Sequence, residues 1–152
     1  MEVERLRYGV PGWGVGELWL DGAVVVNHET PVARPGGDET SHPLVERVRA
    51  YFAGAPDTFA DVELDLGSCT PFQRAVVDAL RAVPYGETVT YGELAALAGR
   101  PGAQRAAGTV CARNRFSLFV PCHRVVGAGS LGSYGSLGVG YKRRLLALEG
   151  AV

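Results

Sequence analysis

The 152-residue sequence predicts an α/β protein of the α+β type, with a small β-rich N-terminal domain over residues 1–68 and a mainly helical C-terminal domain containing a helix-turn-helix over residues 69–152. Three observations carry this expectation. The first part is built of short apolar runs separated by turn dipeptides. The second is punctuated by helix start and stop signals. Charge divides at the same place: residues 1–68 hold 5 Lys+Arg and 12 Asp+Glu, a net −7, whereas residues 69–152 hold 10 and 4, a net +6, leaving −1 for the whole chain. Such asymmetry suits two regions with different partners, the basic one matched to a polyanion, or two halves that attract each other.

Residues 3–8, 14–20 and 23–28 read as strands, with turns at Pro11-Gly12 and Asp21-Gly22, the second a hairpin. Residues 31–41, rich in Pro, Gly and charge, read as a loop. Residues 42–53 read as a helix that buries Leu44, Val45, Val48 and Phe52, and residues 61–66 alternate as a half-buried strand should. Trp13, Trp19 and His28 are expected as core or surface residues, and this half as scaffold.

Gly67-Ser68 marks the boundary. Thr70 caps a helix that opens with Pro71 and runs to about Ala82, with Phe72, Val76, Val77 and Leu80 inward. Val83-Pro84-Tyr85-Gly86 ends it. Thr90 and Glu93 have capping-box spacing, and Gly99 followed by Pro101 is a stop. A second helix from Ala103 to about Arg113 completes a helical hairpin in the basic half. Its first turns set one long cation, Arg105, among small residues, either to enter a groove or base stack or to lie in solvent. Residues 127–140 form a glycine-rich loop carrying Ser130, Ser133, Tyr134 and Ser136. The last helix, residues 141–148, starts with Lys142, Arg143 and Arg144 and buries Leu145, Leu146 and Leu148. It ends at Glu149, an acid that opposes the helix dipole and calls for a partner such as a histidine.

The chemistry centres on Phe119-Val120-Pro121-Cys122-His123-Arg124-Val125-Val126. A thiol, an imidazole and a guanidinium occupy consecutive residues between strand-like apolar pairs, after a proline that stiffens the backbone. Cys69, Cys111 and Cys122 include no CxxC pair, and only His28, His42 and His123 accompany them. That argues against a disulfide framework or a zinc cluster, and for a reducing compartment with a free thiol. Cys69 and Cys111 read as packing residues. No apolar run approaches the roughly 20 residues of a membrane span, and the N-terminus lacks a signal-peptide pattern. A cytoplasmic location is expected.

In these motifs the chain resembles the O6-alkylguanine-DNA alkyltransferases, also called the methylated-DNA–protein-cysteine methyltransferase family. The resemblance is carried by Thr70-Pro71-Phe72-Gln73, Pro84-Tyr85-Gly86, Thr90-Tyr91-Gly92-Glu93-Leu94-Ala95, Arg105-Ala106-Ala107-Gly108, Asn114, Pro121-Cys122-His123-Arg124-Val125 and Leu145-Leu146-Ala147-Leu148-Glu149-Gly150. It implies an RNase H-like N-terminal domain and a single, irreversible transfer of a methyl or larger alkyl group from O6 of guanine in duplex DNA to Cys122. It further implies a flipped-out base, a monomer with no membrane partner, and no metal or organic cofactor.

Residue by residue, it makes Cys122 the nucleophile, His123 its base through a water, Glu149 the group that holds His123, Asn114 a brace, and Tyr91 a donor to the purine. Arg105 would fill the vacated stack, with Ala103, Ala106, Gly108 and Thr90 beside the DNA. Val125, Tyr134 and a loop serine, Ser136 or Ser133, would read the guanine, and Arg124 would support the turn. The chain departs from the family pattern at Arg115, where a proline is usual, at Thr109 and Val77, and in the spacing of the loop around Tyr134. Competing readings are a DNA-binding regulator with a cysteine sensor, a damage-flagging protein without transfer, and a cysteine hydrolase using Cys122, His123 and Glu149.

Overall fold

The computed structural model describes residues 2–37 and 40–152, so Asp38 and Glu39 of the expected 31–41 loop lie outside the described residues. The chain forms two compact units: Met1–Asp65 with Arg115–Leu118, and Leu66–Asn114 with Phe119–Val152.

In the first unit, β1 (Glu4–Val10), β2 (Gly14–Asp21) and β3 (Val24–Val32) form an antiparallel meander in the order β1-β2-β3. The tight β2–β3 connection pairs Asp21 with Val24, as expected of the Asp-Gly signal. The other connection needs glycine for a different reason. A Cβ at Gly14 would lie 2.1 Å from the Val32 carbonyl oxygen. β3 continues through Pro31, further than its sequence suggested, with Val32 opposite Val15.

Helix α1 (Pro43–Phe52) is capped by His42, whose side chain accepts from the Leu44 N–H at 3.1 Å, and it buries Leu44, Val45, Val48, Tyr51 and Phe52. Trp13 packs on Phe52 with ring centroids 4.8 Å apart. Over residues 61–66 the expected alternation is present, since Val62 and Leu64 are buried. The strand is not: among the described residues its pairing is a single parallel bridge of Leu64 to Val25. The turn closed by Val62 N–H on the Phe59 carbonyl, with Phe59 at φ 50°, leaves too little extended chain for a ladder.

Residues Arg115–Leu118 belong to this unit through specific bonds. His28 N–H donates to the Arg115 carbonyl, and the Arg115 guanidinium donates to the Val26 and Asp65 carbonyls. Those two carbonyls give Arg115 a structural reason to stand where the family usually has proline. His28 is buried between the Tyr8 hydroxyl and the Ser117 carbonyl, and burial lowers its pKa to about 4.

The second unit contains α2 (Pro71–Arg81), β4 (Val89–Thr90), α3 (Tyr91–Leu97), α4 (Gln104–Ala112), β5 (Val125–Val126) and α5 (Gly138–Leu148). Both expected caps form as reciprocal boxes, Thr70 with Gln73 and Thr90 with Glu93, each satisfying two orphan N–H groups. Helices α3 and α4 make the helix-turn-helix. They also form the crossover that lets β4 and β5 pair in parallel, Val89 with Val125 and Thr90 with Val126. Val76, Val77, Leu80, Leu94, Ala95, Ala107, Leu145 and Leu146 fill the core. Helix α5 begins at Gly138 rather than Tyr141, because the weak helix formers Gly138 and Gly140 obscure its start in sequence. Among the described residues no helix is long and apolar enough to cross a membrane.

Candidate active site

The chain around the cysteine is bent rather than extended. Leu118 has φ 77°, and Pro121 has φ −80° and ψ 66°, the geometry of an inverse γ-turn. Accordingly the Cys122 N–H donates to the Val120 carbonyl at 2.8 Å. Phe119-Val120, expected as strand-like, lie in no strand, whereas Val125-Val126 do, and between them Cys122–Arg124 is one 3-10 turn. The turn removes the strand-like alternation that would send Cys122 and His123 to opposite faces.

Cys122 is 6% exposed, His123 0% and Glu149 6%. The Asn114 amide spans the bend, with Nδ2 donating to the Val120 carbonyl at 2.9 Å and to Cys122 Sγ at 3.3 Å. His123 Nε2 meets Glu149 Oε2 at 2.7 Å. A carboxylate accepts only, so Nε2 carries the proton in this pair. His123 Nδ1 has no hydrogen-bond partner among the described residues, which makes it the ring atom able to take a proton. Burial holds the imidazole below its ordinary pKa against the opposing pull of Glu149, so it rests neutral.

Glu149 is satisfied on every side. Arg124 Nε donates to Oε1 at 2.9 Å and its terminal nitrogen to Oε2 at 3.0 Å. The Gly86 N–H adds a bond at 3.2 Å. Arg124 in turn bonds the Val83 carbonyl and stacks 5.8 Å from the Tyr85 ring. The Pro84-Tyr85-Gly86 turn thus docks on the C-terminal end of α5, and the acid misplaced for the helix dipole finds two cationic or polar partners and a backbone donor.

Two residues were not singled out in sequence. Lys142 opens a run of three basic residues yet is fully buried. Its Nζ donates to the Ser133 carbonyl at 3.1 Å and lies 5.8 Å over the Tyr91 ring. Burial lowers its pKa, while the nearby Cys111 and Cys122 favour its charge. Cys111, expected as packing, acts on the Cys122 thiol. That interaction holds Cys111 below its ordinary pKa, and it is the largest cause, ahead of burial, pushing Cys122 well above. Cys122 therefore rests as a thiol and needs a base.

Beside this array lies a cleft of about 640 Å³ lined by Tyr91, Gln104, Arg105, Gly108, Thr109, Ala112, Gly132 and Ser133. Arg105 and Ala106 are exposed on α4, Ala103 is its N-cap, and Thr90 caps α3. Burial holds the Tyr91 hydroxyl above the ordinary tyrosine pKa, against the smaller opposing pull of the Ser133 side chain, and so keeps it protonated. Gly132, at φ 75°, would carry a Cβ only 3.3 Å from the Tyr91 ring, so a glycine lets the loop close on the tyrosine. Val125 is buried in β5. Tyr134 stacks on Tyr141 at 6.2 Å and is pushed well above the usual tyrosine range by burial. Ser136 sits in the short 3-10 turn Gly135–Leu137 and does not line the cleft. Among the described residues no group of three or more His, Cys, Asp or Glu is placed to hold a metal.

A buried thiol beside a carboxylate-oriented imidazole, next to a helix-turn-helix in the basic half of the chain, is the arrangement of a nucleophilic-cysteine protein. The model of the 6-O-methylguanine DNA methyltransferase DNA binding domain matches residues 71–151. A methylated-DNA–protein-cysteine methyltransferase of Mycobacterium tuberculosis is 52% identical over 106 residues, 69% of this chain and 62% of the relative. One of Methanosarcina acetivorans is 44% identical over 124 residues, 81% of this chain and 78% of the relative. The crystal structure of M. tuberculosis OGT in complex with DNA superposes with a TM-score of 0.81 at 40% identity, covering 97% of this chain and 92% of that one. The chain belongs to the methylated-DNA–protein-cysteine methyltransferase (O6-alkylguanine-DNA alkyltransferase) family. Its match spans somewhat under two thirds of the mycobacterial relative's length.

Proposed function

We propose that the protein repairs DNA directly, moving a methyl or larger alkyl group from O6 of guanine to Cys122 once per molecule. The observation that carries this reading is the array itself: Cys122 fixed by Asn114, and His123 aimed by Glu149 with one ring nitrogen left to accept a proton. The Cys122 proton passes through a water to His123 Nδ1, and the imidazolium is stabilised by Glu149. The sulfur then forms a bond to the alkyl carbon as the carbon–O6 bond breaks. Tyr91, held neutral, donates to the purine as O6 becomes a leaving group. The product is a thioether with no simple route back to thiol, so the protein is consumed.

The partner is duplex DNA, a reading supported by the M. tuberculosis neighbour, whose structure is a complex with DNA. α4 offers Arg105 to fill the stack, with Ala103, Ala106 and Gly108 allowing close approach and Thr90 on the neighbouring helix cap. Val125 and Tyr134 read the extruded base together with a loop serine, a part that Ser133 fits better than Ser136 because it lines the cleft with Tyr91 and Arg105. Residues 1–68 serve as scaffold and residues 69–152 as the DNA-binding and transfer domain, working in the cytoplasm.

The test is intact-protein mass spectrometry after mixing with a duplex bearing one O6-methylguanine, beside Cys122→Ala. A gain of about 14 Da, one methyl per nucleophile, mapped to Cys122 and absent from the variant, is the expected result. Tight binding without an adduct would favour damage flagging, and neither adduct nor binding would favour hydrolysis.

A further inference from the structure

The transfer reaction leaves two thiols of the second unit unused, Cys69 and Cys111, and the position of Cys111 is specific. It lies in the last turn of α4. Asn114 holds it from one side, its N–H donating to the Cys111 carbonyl at 3.2 Å while its Nδ2 donates to Cys122 Sγ at 3.3 Å. Asn114 thus ties the Cys111 carbonyl to the Cys122 sulfur; the two thiols act on one another, and the buried Lys142 ammonium favours the thiolate of each. Cys122 is buried, whereas Cys111 is partly exposed, so the pair has one solvent-facing member. The third thiol, Cys69, takes no part in these contacts.

We propose that Cys111 is a resolving thiol, making Cys111–Cys122 an oxidative modification site that a hydroperoxide converts to a disulfide and a small thiol reductant restores. In the first step one thiolate attacks a peroxide oxygen. An S–O bond forms, the O–O bond breaks, and the departing hydroxide takes up a proton as water. In the second step the other sulfur attacks the sulfenic sulfur. The S–S bond forms, the S–O bond breaks, and hydroxide leaves with the second thiol proton as water. Each sulfur loses one electron and the peroxide gains two. The disulfide blocks the nucleophile while shielding it from sulfinic acid, a state that thiols do not reverse.

Mapping needs no DNA, so it stands or falls separately from the repair reading; only the activity readout rests on that reading. Wild-type protein is treated with hydrogen peroxide, alkylated with a maleimide, and digested without reductant. The expected result is a loss of about 2 Da, a Cys111–Cys122 linked peptide, and one of the three thiols, Cys69, still labelled. Dithiothreitol then restores most of the methyl transfer. Cys111→Ser, treated in the same way, accumulates sulfinic acid at Cys122 and regains little activity. A wild-type protein oxidised at Cys122 without the linked peptide, or a variant that recovers as fully as wild type, overturns the proposal. If Cys111→Ser fails to fold, the wild-type peptide map decides.

Discussion

His123 Nε2 lies 2.7 Å from Glu149 Oε2, and both side chains are shielded from solvent. The same carboxylate bonds Arg124, so one buried acid serves two functions: it aims a base and neutralises a cation. The two can be separated by experiment. Glu149→Gln keeps a shape close to the original but leaves Arg124 without its countercharge. The expected loss is roughly 100-fold or more in single-turnover transfer, with a stability loss of about 3 kcal/mol from the broken buried pair. Transfer at the wild-type rate in a folded variant would remove Glu149 from the mechanism.

Arg105→Ala tests the stack-filling role. Arg105 is exposed on α4, so the melting temperature should not change. Transfer from duplex DNA should fall by roughly 10- to 100-fold, the worth of one stacked contact. Transfer from the free modified base, which needs no flipping, should stay within twofold of wild type, a ratio well below that of one lost stacking contact. Equal losses on both substrates would mean that the arginine acts elsewhere.

The buried His28 sets a pH dependence. Its folded pKa of about 4 lies below the ordinary 6.5, so on acidification the unfolded chain takes up the proton first. The stabilisation is fully present above pH 6.5 and is lost as pH falls towards 4, by up to about 3 kcal/mol. Urea midpoints at the two ends of that window should differ less in His28→Gln than in wild type. His123, shifted in the same direction by burial, supplies a residual slope. Identical slopes in both proteins would refute the assignment to His28.

Gly86 has φ 80°, and a Cβ there would lie 3.1 Å from the Glu149 carbonyl oxygen. Gly86→Ala should cost at least about 1 kcal/mol and slow transfer, because the Gly86 N–H is also a ligand of the Glu149 carboxylate. Gly22, at φ 59° with open space around it, is the control: Gly22→Ala carries only the conformational part of that cost. Calorimetric melting of the two variants ranks them.

The parts of this molecule legible in sequence are those governed by neighbours along the chain. Thr70 with Gln73 and Thr90 with Glu93 close their caps three residues apart, and the Asp-Gly hairpin needs only its own turn. Lys142 was not legible. Sequence sets it beside Arg143 and Arg144, both exposed, and only the folding of the loop around Gly132 and Ser133 encloses it. Cys111 was hidden for the same reason, since its partner lies 11 residues away across a bend fixed by Leu118 and Pro121. The segment 61–66 shows the reverse case: its alternation was legible, but pairing depends on what stands opposite, and among the described residues only Val25 bridges to it.

The first unit contains Arg115–Leu118 as well as Met1–Asp65, and that has a consequence for biosynthesis. A ribosome completes α2, α3 and α4 before it delivers the segment that bonds His28 and Asp65. The N-terminal half therefore emerges early but is finished late, with the His28 imidazole and the carbonyls of Val26 and Asp65 waiting for partners some 50 to 90 positions downstream. Nascent chains arrested before residue 115 should be digested by protease throughout their N-terminal half, and chains extended past residue 118 should be protected there.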